Sequence, residues 1–309
     1  PLIELNGTNA GANSDGLKIT GSGDVRGLII NRFNGDGIEF NTNGGNIVKC
    51  NWIGVDNTGL NAAGNGLQGL YFFKVSNNVI GGSNNDGNVI SGNNTRNSNI
   101  VFDGGIQIQQ SNNNIIQGNI IGLNKNGVKG SITASQNFGI SLINVDNSQI
   151  GGTTASARNI VSFDDIGIRL SNSDLNHIEG NYVGIDSNGS NAGGLVSGRG
   201  IYIDGTSVNN VVGGTASGAG NVISNNSSVG VEVFGSSTNN QLIQGNFIGT
   251  DPTGMLAVGS QQNGIEVNFT ANVTIGGRTA AERNIISGND GSGIVIDNLN
   301  QPETSFNTI

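Results

Sequence analysis

A tetrapeptide of the form Gly-apolar-x-apolar opens at Gly16, Gly37, Gly69, Gly105, Gly139, Gly167, Gly200, Gly230, Gly264 and Gly293, and this recurrence constrains the chain more than any other feature. It reads GLKI, GIEF, GLYF, GIQI, GISL, GIRL, GIYI, GVEV, GIEV and GIVI, at intervals of 21 to 36 residues. Apolar residues held in phase at such a period mark units that cannot bury their apolar positions alone and must stack on their neighbours. A flexible Gly-rich segment has no reason to keep that phase. Ten occurrences imply ten coils.

Two kinds of coil alternate. One has a Gly-Gly corner followed by Asn-apolar-Ile/Val-Ser, at 79–91, 150–162, 211–224 and 275–287. The other has a longer polar loop, in NWIGVDNTG from Asn51, NIIGLNKNG from Asn119, NYVGIDSNG from Asn181 and NFIGTDPTG from Asn246. Each coil holds three short extended segments, too short for helices and separated by Gly, Asn or Asp, which supply left-handed and Asx-turn corners. Equivalent segments in successive coils pair about 4.8 Å apart, giving three parallel sheets and a prism on the order of 50 Å long. Parallel connections within a sheet favour a right-handed coil. The expected fold is therefore all-β, a right-handed parallel β-helix, with residues 1–309 forming one domain.

Three sets of rows follow from the phase. Val48, Ile80, Ile116, Ile150, Ile178, Val212, Ile243 and Ile275 stack inside. Asn51, Asn88, Asn119, Asn159, Asn181, Asn221, Asn246 and Asn284 precede the second strand and stack as an amide ladder. Trp52, Val89, Ile120, Ile160, Tyr182, Val222, Phe247 and Ile285 read as further core on a tilted second strand. If they faced solvent instead, they would form an adhesive stripe.

Charge narrows the partners. The chain has 22 acidic and 13 basic residues, a net charge of −9, and no Lys/Arg cluster able to neutralise phosphates, so nucleic acid is not expected. The single cysteine, Cys50, forms no internal disulfide. No apolar run spans a membrane, and Pro1 is not followed by signal-peptide regions. Because Pro1 begins inside repeat sequence and SFNTI closes the chain as a new Asn-x-Ile strand begins, the sequence reads as a fragment of a longer protein cut at both ends.

The phased Asn-x-Ile-x-Gly-Asn-x-Ile-Gly and Gly-Ile-x-Ile pattern resembles the parallel β-helix repeats of bacterial extracellular proteins in the pectate-lyase-like superfamily. The opening PLIELNGTNAG, the following VRGLIINRF and the IGTDPTG type of loop resemble a subgroup found in large secreted and cell-surface proteins. The resemblance covers essentially the whole chain and implies an extracellular or cell-surface location. Such folds carry lyases, hydrolases, epimerases, adhesins and inert stalks. Of the signatures of polygalacturonase-like members and alginate epimerases, only Asp164-Asp165 matches an Asp-Asp pair. Asp251-Pro252 is followed by Thr253 where the epimerases have His. The one histidine, His177, falls in a row with Ile47, Ile115 and Leu242, which reads as sheet lining.

The outward row of the third strand gives the best constellation: Lys18, Glu39, Tyr71, Gln107, Ser141, Arg169, Tyr202, Glu232, Glu266 and Val295. Beside it stand Phe73, Asp204, Phe234 and Asp297. Tyr71, Phe73, Tyr202 and Phe234 offer flat faces to sugar rings. Glu232 and Glu266, with Arg169 and Asp204, are the candidate catalytic set for general acid–base work or lyase chemistry. The long loops holding Asp56, Asn124, Asp186 and Asp251 are expected as a ridge beside this face. Asp56, Asp186 and Asp251 are candidate ligands for a structural Ca²⁺, although the same Asp-x-x-Gly form makes an ordinary Asx turn. No other cofactor is expected.

The expected function is an extracellular structural or adhesive module of a surface or fibre-forming protein, contacting polysaccharide or other surface proteins and able to self-associate into fibres. The alternative is a polysaccharide lyase, hydrolase or epimerase with its site on the third sheet.

Overall fold

The computed structural model describes residues 1–96, 104–133, 136–192, 198–259, 261–297 and 307–309. Among them every regular element is a strand. The strands form three parallel sheets, two of ten strands and one of nine, each built from every third strand of the chain. The first sheet contains the strands typified by Ile115–Gln117, the second those typified by Ile120–Ile121, and the third those typified by Gln136–Ile143. Register is coil on coil: Ile116 faces Ile80 and Ile150, Ile120 faces Val89 and Ile160, and Ile140 faces Ile106 and Ile168. At the far end Thr308 bridges in parallel to Thr274, as an Asn-x-Ile strand predicts; Ser305 and Phe306 of that segment lie outside the described residues.

Inside the prism the predicted row from Val48 to Ile275 is buried, joined by inward residues of the other two sheets such as Ile53, Ile90, Phe40 and Phe72. The Phe40 and Phe72 rings stack at 4.5 Å. Gly139 shows why glycine opens the third strand: a Cβ there would stand 2.4 Å from Val161 Cγ1 and 2.6 Å from the Gly167 carbonyl. The corner before the second strand needs a positive φ, taken by Gly118, Gly180 and Gly245 at about 70° and by Cys50 at 56°.

Polar ladders run inside all three corners. In the predicted one, Asn119 Nδ2 donates to Asn159 Oδ1 at 3.0 Å and to the Ile80 carbonyl at 2.9 Å, while Asn119 Oδ1 accepts from Asn88 Nδ2 at 2.9 Å. A second ladder runs through Asn46, Asn78, Asn114, Ser148, Asn176, Asn210 and Gln241. The third includes Asn65, Asn93, Gln136 and Asp164, and on later coils Asn226 and Gln261. Rungs such as Asn119, Asn78 and Asn65 satisfy backbone groups that tight corners leave unpaired.

Two expectations are corrected by the packing. The Trp52 row is not core: its strand neighbours Ile53 and Ile90 face inward, so Trp52 and Val89 face out. It is not bare either. Long loops fold back over it, adding Val55, Leu123, Ile132 and Ile185 to form two apolar clusters separate from the interior. The loops therefore lie over the second sheet, where Gly59 and Lys125 reach Trp52 and Gly254 reaches Phe247, instead of standing beside the third. The reason is hydrophobic: a two-residue strand exposes one apolar side chain per coil, and an adjoining insertion is the nearest cover.

Candidate functional site

The third sheet carries a group of polar and aromatic side chains in mutual contact. Its register aligns Arg169 with Tyr202, Tyr202 with Glu232, and Glu232 with Glu266 in one outer column, which continues the other way through Ser141, Gln107 and Tyr71. Asp204 and Phe234 stand two residues further along their strands, as alternation requires. A third outer column, Phe138, Ile166, Arg199, Val229 and Asn263, was not legible in the repeat. It emerges because the glycine that follows it turns into the interior and shifts the alternation by one residue.

This third column supplies partners for the predicted residues. The Arg169 guanidinium holds Asp204 Oδ2 through Nη2 at 2.6 Å and Nε at 3.2 Å. Arg199 Nε binds Glu232 Oε2, and its guanidinium lies 4.7 Å from the Tyr202 ring centre. Arg169 lies 5.6 Å from the Phe138 ring and 5.9 Å from Tyr202. Asn268 Nδ2 bridges Glu232 Oε1 and Glu266 Oε2, at 3.2 Å from each, and Asn263 Nδ2 donates to Glu266 Oε1. The two glutamates are thus adjacent, one ion-paired and both hydrogen-bonded. Burial, then the charges of Asp204 and Glu232, raise the Tyr202 phenol above its usual range, so it stays a neutral hydroxyl.

Among the described residues, Gln107 Nε2, Ser141 Oγ and Asp204 Oδ1 on this face are buried without a hydrogen-bond partner. Gln107 Oε1 accepts from Gln68 Nε2, leaving its amide nitrogen unused. Tyr71 and Phe73 lie at the other end of the face, rings 6.2 Å apart and 20° from parallel, with Lys74 Nζ 4.9 Å above Phe73. Four coil steps separate Tyr71 from Tyr202, roughly 19 Å at one strand spacing per coil. Phe234 is 39% exposed and packs edge-on against Phe269 at 5.7 Å. Arg169, Tyr202, Asp204, Glu232, Glu266 and Phe234 are therefore one group, and Tyr71 and Phe73 a separate platform.

The loop aspartates close their own turns. Asp56 Oδ1 accepts from Thr58 Oγ1 at 2.7 Å and Oδ2 from Asn61 Nδ2 at 2.7 Å. Although burial opposes it, hydrogen bonds from Asn61, Thr58 and the local backbone hold the Asp56 carboxyl down at about 2. Asp186 Oδ1 accepts from the Asn188 and Ser190 amides, and Asp251 Oδ1 from the Met255 and Leu256 amides. Each loop offers one carboxylate already engaged by N–H donors. Among the described residues, three acidic side chains, Asp15, Asp36 and Glu39, converge closely enough to share one ion, at the start of the third sheet. His177 is exposed on the first sheet, between Gln149 and Val211. Asp164 lies inside the prism and takes no part in the site, while Asp165 is part-buried.

Two solved structures share this architecture. The A-module of a mannuronan C-5 epimerase from Azotobacter vinelandii matches with TM-score 0.53 at 13% identity, over 93% of this chain and 63% of that one. The Dettilon tailspike protein matches with TM-score 0.50 at 16% identity, over 93% of this chain and 56% of that one. The chain is a right-handed parallel β-helix. It spans less than two thirds of either structure, and at these identities the likeness is one of fold. No protein-family model and no curated protein matches the sequence.

Proposed function

We propose that this β-helix is an extracellular structural or adhesive module that holds a polysaccharide along its third sheet. The observation that carries the reading is the group around Tyr202: a half-buried ring flanked by Arg169–Asp204 and Arg199–Glu232, with unpartnered buried polar atoms on the same face. Ion pairs of this kind immobilise their own side chains, which lowers the entropy lost on binding, and flat rings with few polar groups suit a sugar chain. The polysaccharide epimerase and the tailspike named above are consistent with a carbohydrate-related role for the fold. Location outside the cell, contact with other surface proteins and assembly into fibres belong to the same reading.

The experiment is glycan binding by the whole chain and by Tyr202→Ala and Phe234→Ala. Binding weakened by either substitution, without turnover, supports the reading; binding indifferent to both removes the third sheet as the site. A second reading, a polysaccharide-active enzyme, is favoured by the adjacent Glu232 and Glu266 carboxylates. It requires product formation that Glu232→Gln abolishes. A structural calcium at the Asp56, Asp186 or Asp251 loops would show as a fall in Tm on chelation.

A further inference from the structure

Resting on the reading of the third sheet as a glycan face, we infer that the site around Tyr202 takes a neutral glycan and rejects a polyuronate. A uronate carboxylate is held most strongly by a cation free to meet it. In this group each guanidinium already holds a carboxylate: Arg169 binds Asp204 through two nitrogens, and Arg199 binds Glu232. Glu266 adds a carboxylate held, among the described residues, by the Asn263 and Asn268 amides. Two cations against three anions leave the patch net negative, so an acidic sugar arriving there meets like charge in a partly dehydrated setting.

The unused polar atoms point the same way. Asp204 Oδ1 is buried and, among the described residues, has no donor; an O–H, in which neutral sugars are rich, is one group that can satisfy a carboxylate oxygen. Further along the same column, the unpartnered Ser141 Oγ is able to donate or accept and Gln107 Nε2 to donate. Tyr202 and Phe234 supply ring faces whose attraction for a sugar does not depend on sugar charge. Discrimination here rests as much on what the paired carboxylates repel as on what the rings attract.

The test measures the wild-type chain against neutral polymers (β-glucan, galactomannan, xylan) and polyuronates (polygalacturonate, alginate) at low and physiological salt. Expected are binding of at least one neutral polymer with little salt dependence, about tenfold weaker binding by Tyr202→Ala, and no comparable binding of a polyuronate. The double substitution Asp204→Asn, Glu232→Gln, with its fold checked by circular dichroism, frees both guanidinium groups and is expected to gain salt-sensitive polyuronate binding. Preferential polyuronate binding by the wild type overturns the inference while leaving a glycan face in place. Failure of the double variant to gain polyuronate binding also overturns it. Binding of no glycan of either class removes the parent reading and the inference together.

Discussion

Asn119 illustrates how a single polar side chain holds a coil. It is fully buried, donates to Asn159 Oδ1 and the Ile80 carbonyl, and accepts from Asn88 through both backbone and side-chain nitrogens. Truncation strands several buried groups, each costing about 1–3 kcal/mol. Asn119→Ala is therefore expected to lose roughly 3–5 kcal/mol in denaturant unfolding. A loss under about 1 kcal/mol would mean that water replaces the rung.

Asp164 occupies the same kind of rung with the wrong chemistry for a carboxylate. It is fully buried, accepts from Gln136 Nε2 at 2.9 Å, and its Oδ2 has no partner; burial raises its pKa well above the ordinary value. A raised carboxyl keeps its proton in the folded chain at pH values where the unfolded chain has lost it. Stability from this group is thus complete in acid and falls as pH rises from about 4 toward the folded-state pKa. Asp164→Asn, which matches the amides at Asn93 and Gln136, should raise Tm at neutral and alkaline pH and converge with wild type in acid. A constant Tm difference across pH would show that the carboxyl is not the cause.

At the scale of elements, the second strand depends on cover that does not belong to its own sheet. Leu123 is fully buried in the loop cluster over Trp52 and Ile120, not in the prism. Leu123→Ala is expected to cost about 2–3 kcal/mol. Its signature is local, faster hydrogen exchange in the loop from Gly122 to Ile132 with protection kept at Ile116 and Ile140. Exchange rising equally in all three sheets would mean that the loop layer and the prism unfold as one unit. The loops also bond to each other, Lys125 N donating to the Gly59 carbonyl and Ser187 N to the Gly127 carbonyl, so the layer has its own short stack.

For the molecule as a whole, each coil touches its neighbours above and below, and stability approximates a sum of coils and interfaces. Removing residues 119–180 joins Gly118 to Asn181, and Gly180 precedes Asn181 at the same corner with nearly the same φ. That deletion is expected to fold and to shorten the particle by about 10 Å, two coil spacings, in small-angle scattering. An unfolded product would show that the insertions of particular coils depend on specific neighbours.

The phase of glycine, asparagine and apolar residues by itself determined the coil count, the strand register, the inner row, the Asn51 to Asn284 ladder and the column containing Arg169, Tyr202, Glu232 and Glu266. Those features repeat, and pairing between equivalent residues is what repetition specifies. Only the tertiary structure revealed the features that break the repeat. The Arg199 column appears because a glycine turns inward, the ladders through Ser148, Gln136 and Asp164 because unlike side chains share a geometric role, and the roof over Trp52 because insertions of different length converge on one face. In each case the deciding quantity is a distance between residues whose identities do not repeat, and no periodicity in the chain encodes it.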